Sequence, residues 1–132
     1  MKKLLTKLKE VLRSMPLRRK WITILIYKPL NLGLQPKRSG WDCLRHYEIA
    51  ANGAVMCFKD LHKKPTTCAP HGLIPGINCI SYTSYDNLLG QISNITDTKY
   101  DELQQASLVW VKDNTTVLRA KRFLSSFKLI ND

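Results

Sequence analysis

Gly40-Trp41-Asp42-Cys43-Leu44-Arg45-His46-Tyr47-Glu48-Ile49-Ala50-Ala51-Asn52-Gly53-Ala54-Val55-Met56-Cys57-Phe58 decides the fold. It reads as a glycine loop, a short helix carrying Arg, His and Glu, a glycine stop and a buried strand. Asp42 is the expected N-cap, because a short acceptor side chain satisfies first-turn amides. Asn52-Gly53 is the expected left-handed stop. Ala54–Phe58, apolar throughout, has the pattern of a strand covered on both faces. This order places a helix N-terminus and a carboxylate at one end of a sheet, where α/β proteins hold phosphorylated sugar ligands.

Working outward, Trp21–Tyr27 is β-branched and aromatic and reads as a strand that Pro29 ends. Leu30–Leu34 is a candidate second strand, followed by a basic turn-rich loop, Gln35–Gly40. Beyond the central stretch, Lys59–Pro75 is a loop rich in Pro, Thr, Lys and Gly, and Asn78–Tyr82 is another short strand. Ser84 can cap a helix to about Ile95, with Tyr85, Leu88, Leu89 and Ile92 on one face. Thr98 is the expected start of a second helix, through Tyr100, Leu103, Ala106, Leu108 and Val111. Asp113 is the expected cap of a third, through Val117, Leu118, Ala120, Phe123, Leu124 and Phe127. Strands interleaved with helices predict α/β, with a helical C-terminal tail.

A chain of 132 residues, 44% hydrophobic, supports one domain with a packed core. Its net charge of +11 is unevenly spread. Residues 1–48 carry 12 Lys and Arg against Glu10, Asp42 and Glu48, a net +9, and residues 49–132 carry 9 against 7, a net +2. An anionic partner is therefore expected to act on the N-terminal third. Residues 2–15 repeat Leu4, Leu5, Leu8, Val11, Leu12 and Met15 at helical spacing, with lysines opposite and Pro16 as the stop. We therefore set residues 1–20 apart as a basic amphipathic leader helix. The alternatives are a surface helix packing on the domain, a poorly ordered leader, or a helix lying on an anionic membrane surface.

No apolar run approaches the about 20 residues of a membrane span, and charges interrupt any signal-peptide core. A cytoplasmic, at most membrane-peripheral, location is expected. The four cysteines, Cys43, Cys57, Cys68 and Cys79, form no Cys-x-x-Cys pair and are expected as free thiols, Cys43 and Cys57 behaving as small hydrophobes. The sequons at Asn94 and Asn114 read as chance matches. His46, His62 and His71 show no metal-ligand spacing, so neither metal nor cofactor is expected.

The chemistry concentrates between Gly40 and Glu48. A helix start offers unpaired amides and about half a positive charge. Gly40 lets a ligand approach the backbone, and Lys37 and Arg38 add counter-charge. Arg45 can fork two hydrogen bonds onto phosphate oxygens. Glu48, three residues on, can accept from a sugar diol. The plainer alternative is an Arg45–Glu48 surface ion pair, worth well under about 1 kcal/mol. His46 reads as a packing or surface residue and Trp41 as a packing one. His71, in Pro-His-Gly, is a candidate contact to a ligand in the loop.

Gly40–Gly53 resembles the donor-lobe signature of glycosyltransferases with the B-type, two-lobed Rossmann architecture, a group like the exostosin and family 1 transferases. Its pattern is Gly-Trp-Asp-x-x-Arg-x-Tyr-Glu-x-x-x-x-Gly. Pro70–Tyr82 is similar to the loop and strand that follow in that lobe, and Tyr85–Ile92 matches the helix after it. The likeness spans roughly residues 30–127. It implies a partial Rossmann-like lobe over residues 21–132 and transfer of a sugar from a nucleotide-sugar donor to a hydroxyl of a glycan or other acceptor. Gly40, Trp41 and Asp42 would receive the diphosphate, Arg45 would neutralise it, Glu48 would bind the ribose and His71 would approach the donor sugar. The resemblance assigns no catalytic residue and implies no bound metal. Family members carry several hundred residues before the signature, and here there are about 40. An incomplete lobe is expected, truncated or working with a partner half.

The competing function is a basic binding module without catalysis, for nucleic acid or an anionic membrane. The +9 N-terminal third with Trp21, Tyr27 and Trp41 interleaved supports it. No nucleic-acid motif is present, so nucleic acid ranks well below a nucleotide-sugar as the expected ligand.

Overall fold

The computed structural model describes residues 24–27, 30–35 and 41–129. The chain is α/β. Four strands form one sheet in the order β1-β2-β3-β4: β1 (Ile24–Tyr27), β2 (Leu30–Gln35), β3 (Val55–Lys59) and β4 (Cys79–Tyr82). β1 pairs antiparallel with β2, while β2, β3 and β4 run parallel, Leu32 opposite Val55 and Met56 opposite Cys79. Helix α1 (Leu44–Ala51) is the crossover from β2 to β3. After β4 come α2 (Tyr85–Asn94), α3 (Asp97–Lys112) and α4 (Thr116–Ser126), the helical C-terminal tail. The expected leader helix, Gly40, Lys37 and Arg38 lie outside the described residues.

Apolar residues alternate between two faces of the sheet, and each face has its own core. On one, Leu32, Leu34, Val55, Cys57, Ile80 and Tyr82 pack against Leu88 and Leu89 of α2 and Tyr100 and Leu103 of α3. On the other, Met56, Phe58 and Cys79 pack against Ile49 and Ala50 of α1, Leu61, and Trp110 and Val111 of α3. Each fully buried aliphatic side chain contributes about 1.5–3 kcal/mol. β3 is central, so its first four residues are buried and only Lys59 is exposed.

α1 sits close on β2 because Gly33 has no side chain. A Cβ there would stand 2.3 Å from Ile49 Cγ2, and Ile49 is itself buried and unable to yield. The other end of α1 is closed by a Schellman motif: Gly53 N–H donates to Ala50 O, Ala54 N–H to Ile49 O, and Gly53 takes φ +71°. Gln104 of α3 donates to Gly53 O, and Trp110, six residues on, stacks on Tyr47, six residues before Gly53. α3 therefore runs antiparallel to α1. It carries the α3–α4 turn to the sheet end at which α1 begins.

Several expected boundaries move. The N-cap of α1 is Cys43, extended (φ −158°, ψ 130°), with no side-chain cap, and not Asp42. Asp42 lies one residue too early to reach the first-turn amides. Thr96 caps α3, accepting from Lys99 N–H, so that helix opens before Thr98. Thr115, not Asp113, caps α4, accepting from Leu118 N–H, because α3 continues through Lys112 and leaves Asp113 in the turn. Leu61–Lys63 adds a short 3-10 turn inside the loop after β3. All four cysteines are free; Cys57 and Cys79 are buried, but Cys43 is exposed, an N-cap and not a core residue.

Candidate functional site

Parallel strands β2 and β3 end at Gln35 and Lys59, and α1 begins at the same edge of the sheet. Its first turn holds no acidic residue and its N-cap Cys43 makes no side-chain cap, so among the described residues no side chain caps its first-turn amides. The open crevice at the carboxyl ends of parallel strands is the physically favoured ligand position in such sheets.

His46 fixes the entry to this turn. It is buried against Phe58, ring centroids 4.9 Å apart, and its Nε2 donates to Trp41 O at 2.7 Å. A carbonyl partner requires the proton on Nε2, leaving Nδ1 as an acceptor with no hydrogen-bond partner among the described residues. Burial holds the imidazole below its ordinary pKa, against the smaller opposing effects of the Trp41 carbonyl and Asp42. His46 is therefore neutral and structural, tying Trp41 to the helix. Trp41 is half-buried, packed against Met56 and Phe58's core cluster.

Asp42 is exposed and accepts from the Tyr47 hydroxyl at 3.4 Å. Burial, foremost, and the Asp42 charge raise the Tyr47 pKa, while Arg119 of α4 pulls it down. The Arg119 charge thus acts on Tyr47 in the opposite sense to that of Asp42, and its guanidinium donates to Asn114 Oδ1. Tyr47 in turn stacks on Trp110, ring centroids 5.3 Å apart, and Trp110 Nε1 donates to His71 O at 2.8 Å. A continuous relay of rings and hydrogen bonds links Asp42, Tyr47, Trp110 and the backbone of His71.

His71 lines a cavity of about 270 Å³ together with Leu61, Lys64, Thr66, Pro70, Gly72 and Leu73. Ligand pockets generally run from about 300 to 1,000 Å³, so this one has room for part of a nucleotide-sugar, on the order of a single ring. The Lys64 ammonium is turned back on its own loop, donating to Pro65 O and Cys68 O. Asn78 braces the far side of the loop, donating to Gly72 O and accepting from Ile74 N–H.

Arg45 is half-buried and Glu48 exposed, and the two make no ion pair with each other. Asn52 donates to the Glu48 backbone carbonyl, not to its carboxylate. The structure therefore gathers Trp41, Asp42 and, through Trp110, His71; Arg45 and Glu48 stand on α1 unjoined to that relay, and Gly40 lies outside the described residues. Trp110 and Arg119 went unmarked in the sequence. Trp110 is seven residues beyond Leu103, the one signal that it shares a helix face. Nothing local distinguished Arg119 from the other cations of α4.

No group of three or more His, Cys, Asp or Glu placed to hold a metal ion occurs among the described residues. No described helix is long and apolar enough to cross a membrane. No protein-family model, curated protein or solved structure matches the chain.

Proposed function

We infer that the chain is the donor-binding lobe of a B-type glycosyltransferase, acting on a nucleotide-sugar. One observation carries the reading. The stretch resembling the family signature falls on the β2–α1–β3 crossover, and its helix start, where Cys43 makes no side-chain cap, stands at the carboxyl ends of parallel strands. A diphosphate at that start meets backbone amides and the positive helix end, with Arg45 one turn in. Glu48 is exposed and available to a ribose diol. Arg119 of α4, whose charge acts on Tyr47 in the opposite sense to that of Asp42, adds counter-charge. His71 and its cavity take the sugar ring.

In the reaction, an acceptor hydroxyl oxygen bonds to the anomeric carbon as the bond from that carbon to the diphosphate oxygen breaks. The diphosphate departs with the electron pair, and stabilising its charge is the task of the helix start and the cations. The acceptor hydroxyl loses its proton to a base that none of these residues is assigned to be. That base and the acceptor site belong to a partner half in this reading.

Calorimetric titration of the 132-residue chain with UDP, GDP and a short DNA duplex tests the reading. The expected result is saturable diphosphate binding that Glu48→Ala abolishes while leaving the circular dichroism unchanged, since an exposed helical alanine is well tolerated. Equal affinity in Glu48→Ala would remove the ribose assignment. A folded chain that takes up only DNA would replace the donor lobe with a basic binding module.

A further inference from the structure

Among the described helices α4 is the least integrated. None of its residues is buried, whereas α1, α2 and α3 each bury at least two. Its apolar residues other than Leu118 nonetheless form one stripe, continued by the C-cap Phe127: at 100° per residue Val117, Ala120, Phe123, Leu124 and Phe127 fall within an arc of roughly 120°. Phe123 and Phe127 are each 62% exposed and lie against one another, centroids 4.9 Å apart. Val117 and Leu129 extend the exposed apolar surface at 65% and 67%. Isolated exposed hydrophobes need no explanation, but an aromatic pair on an unpartnered amphipathic helix does.

Charge identifies what covers it. Arg119 and Lys121 border the stripe on its two sides, Arg122 and Lys128 follow, and no Asp or Glu occurs from Asn114 to Asn131. A second copy of the chain would set these cations against their own kind. Residues 1–20, the other amphipathic stretch, carry eight Lys and Arg against Glu10 and would be repelled likewise. An anionic surface that also accepts aromatic side chains is complementary on both counts, and cations flanking Phe on one helix is the pattern of interfacial membrane helices. We propose that α4 lies on an anionic lipid surface, with Phe123 and Phe127 entering the headgroup–acyl boundary and Lys121 and Lys128 meeting lipid phosphates. This is independent of the donor-lobe reading.

The test is flotation of the full chain with vesicles of phosphatidylcholine alone and of equal parts phosphatidylcholine and phosphatidylglycerol. The chain should float with the anionic vesicles only, and less as salt rises. Phe123→Ser/Phe127→Ser should weaken that binding by on the order of tenfold or more, with melting unchanged because both rings are exposed. Lys121→Glu should weaken it in the same direction, whereas Leu8→Glu in the leader should leave the dependence on Phe123 and Phe127 intact. Binding lost only in Leu8→Glu, or no flotation with anionic vesicles, overturns the proposal. A lipid-free dimer that the double variant dissociates also overturns it and makes the stripe a protein interface.

Discussion

The two faces of the sheet are built from different materials. Toward α2 the core is mostly aliphatic: Leu32, Leu34, Val55, Ile80, Leu88, Leu89 and Leu103, joined by Tyr82 and Tyr100. Toward α1 it is aromatic and polar-tipped. His46 holds the Trp41 carbonyl, Trp110 holds the His71 carbonyl, and the ring of Tyr47 joins them. The aliphatic face supplies stability through area removed from water, which is indifferent to direction. The aromatic face trades some of that area for directed hydrogen bonds, and those bonds set where the loops around the sheet's carboxyl edge stand. The directed contacts that hold Trp41 and His71 lie on the second face.

Four substitutions sharpen or break this contrast. The largest effect belongs to the aliphatic side: Leu88→Ala, which empties a site 1% exposed, should cost about 2–5 kcal/mol in urea unfolding. Nucleotide affinity of the remaining folded chain should not change. Trp110→Phe keeps the stack on Tyr47 but deletes the donor to His71 O, and should cost about 1 kcal/mol because the exposed loop carbonyl can turn to water. Amide exchange at residues 71–74 should quicken while that of Val55–Lys59 does not. Equal acceleration in both would mean the ring acts only as bulk.

A smaller and pH-dependent effect is expected at His46. Its pKa in the folded chain lies below the 6.5 of the unfolded imidazole, so the unfolded state takes up the proton first. Stability is therefore full above about pH 6.5 and declines as pH falls below it toward the folded value. The decline should be shallower in His46→Leu, read as the difference between parent and variant urea midpoints across pH 5.5–7.5 (about one unit to either side of the ordinary His value). A parallel pair of curves would place the ring in water. Least of all, Arg45→Ala should shift stability by no more than about 0.5 kcal/mol. It should weaken binding of a nucleoside diphosphate more than of its nucleoside; equal losses would make Arg45 structural.

Local chemistry was well legible. The strands, the helix from the early forties to Ala51, its Asn52-Gly53 stop and the Ser84 cap all follow from patterns spanning a few residues, and the structure has them. Caps competing with close alternatives were not. Asp42 and Asp113 are as good acceptors as Thr96 and Thr115, and which one serves depends on where the preceding backbone leaves the chain. The apolar residues expected along α4 are in place, yet none is buried, because periodicity reports a face and not what meets it.

The sequence by itself determined that the chain is α/β, that a βα unit carries Trp41 to Glu48, and that cations gather at its N-terminal third. These rest on alternation, glycine stops and charge, which neighbouring residues settle among themselves. Only the tertiary structure decided that the Arg119 charge acts on Tyr47 against that of Asp42, and that Trp110 holds a loop 39 residues away. It likewise left the α4 stripe uncovered and denied Arg45 and Glu48 each other. Such pairings depend on how α3 crosses back along α1, and that path is set by packing on both faces of the sheet at once.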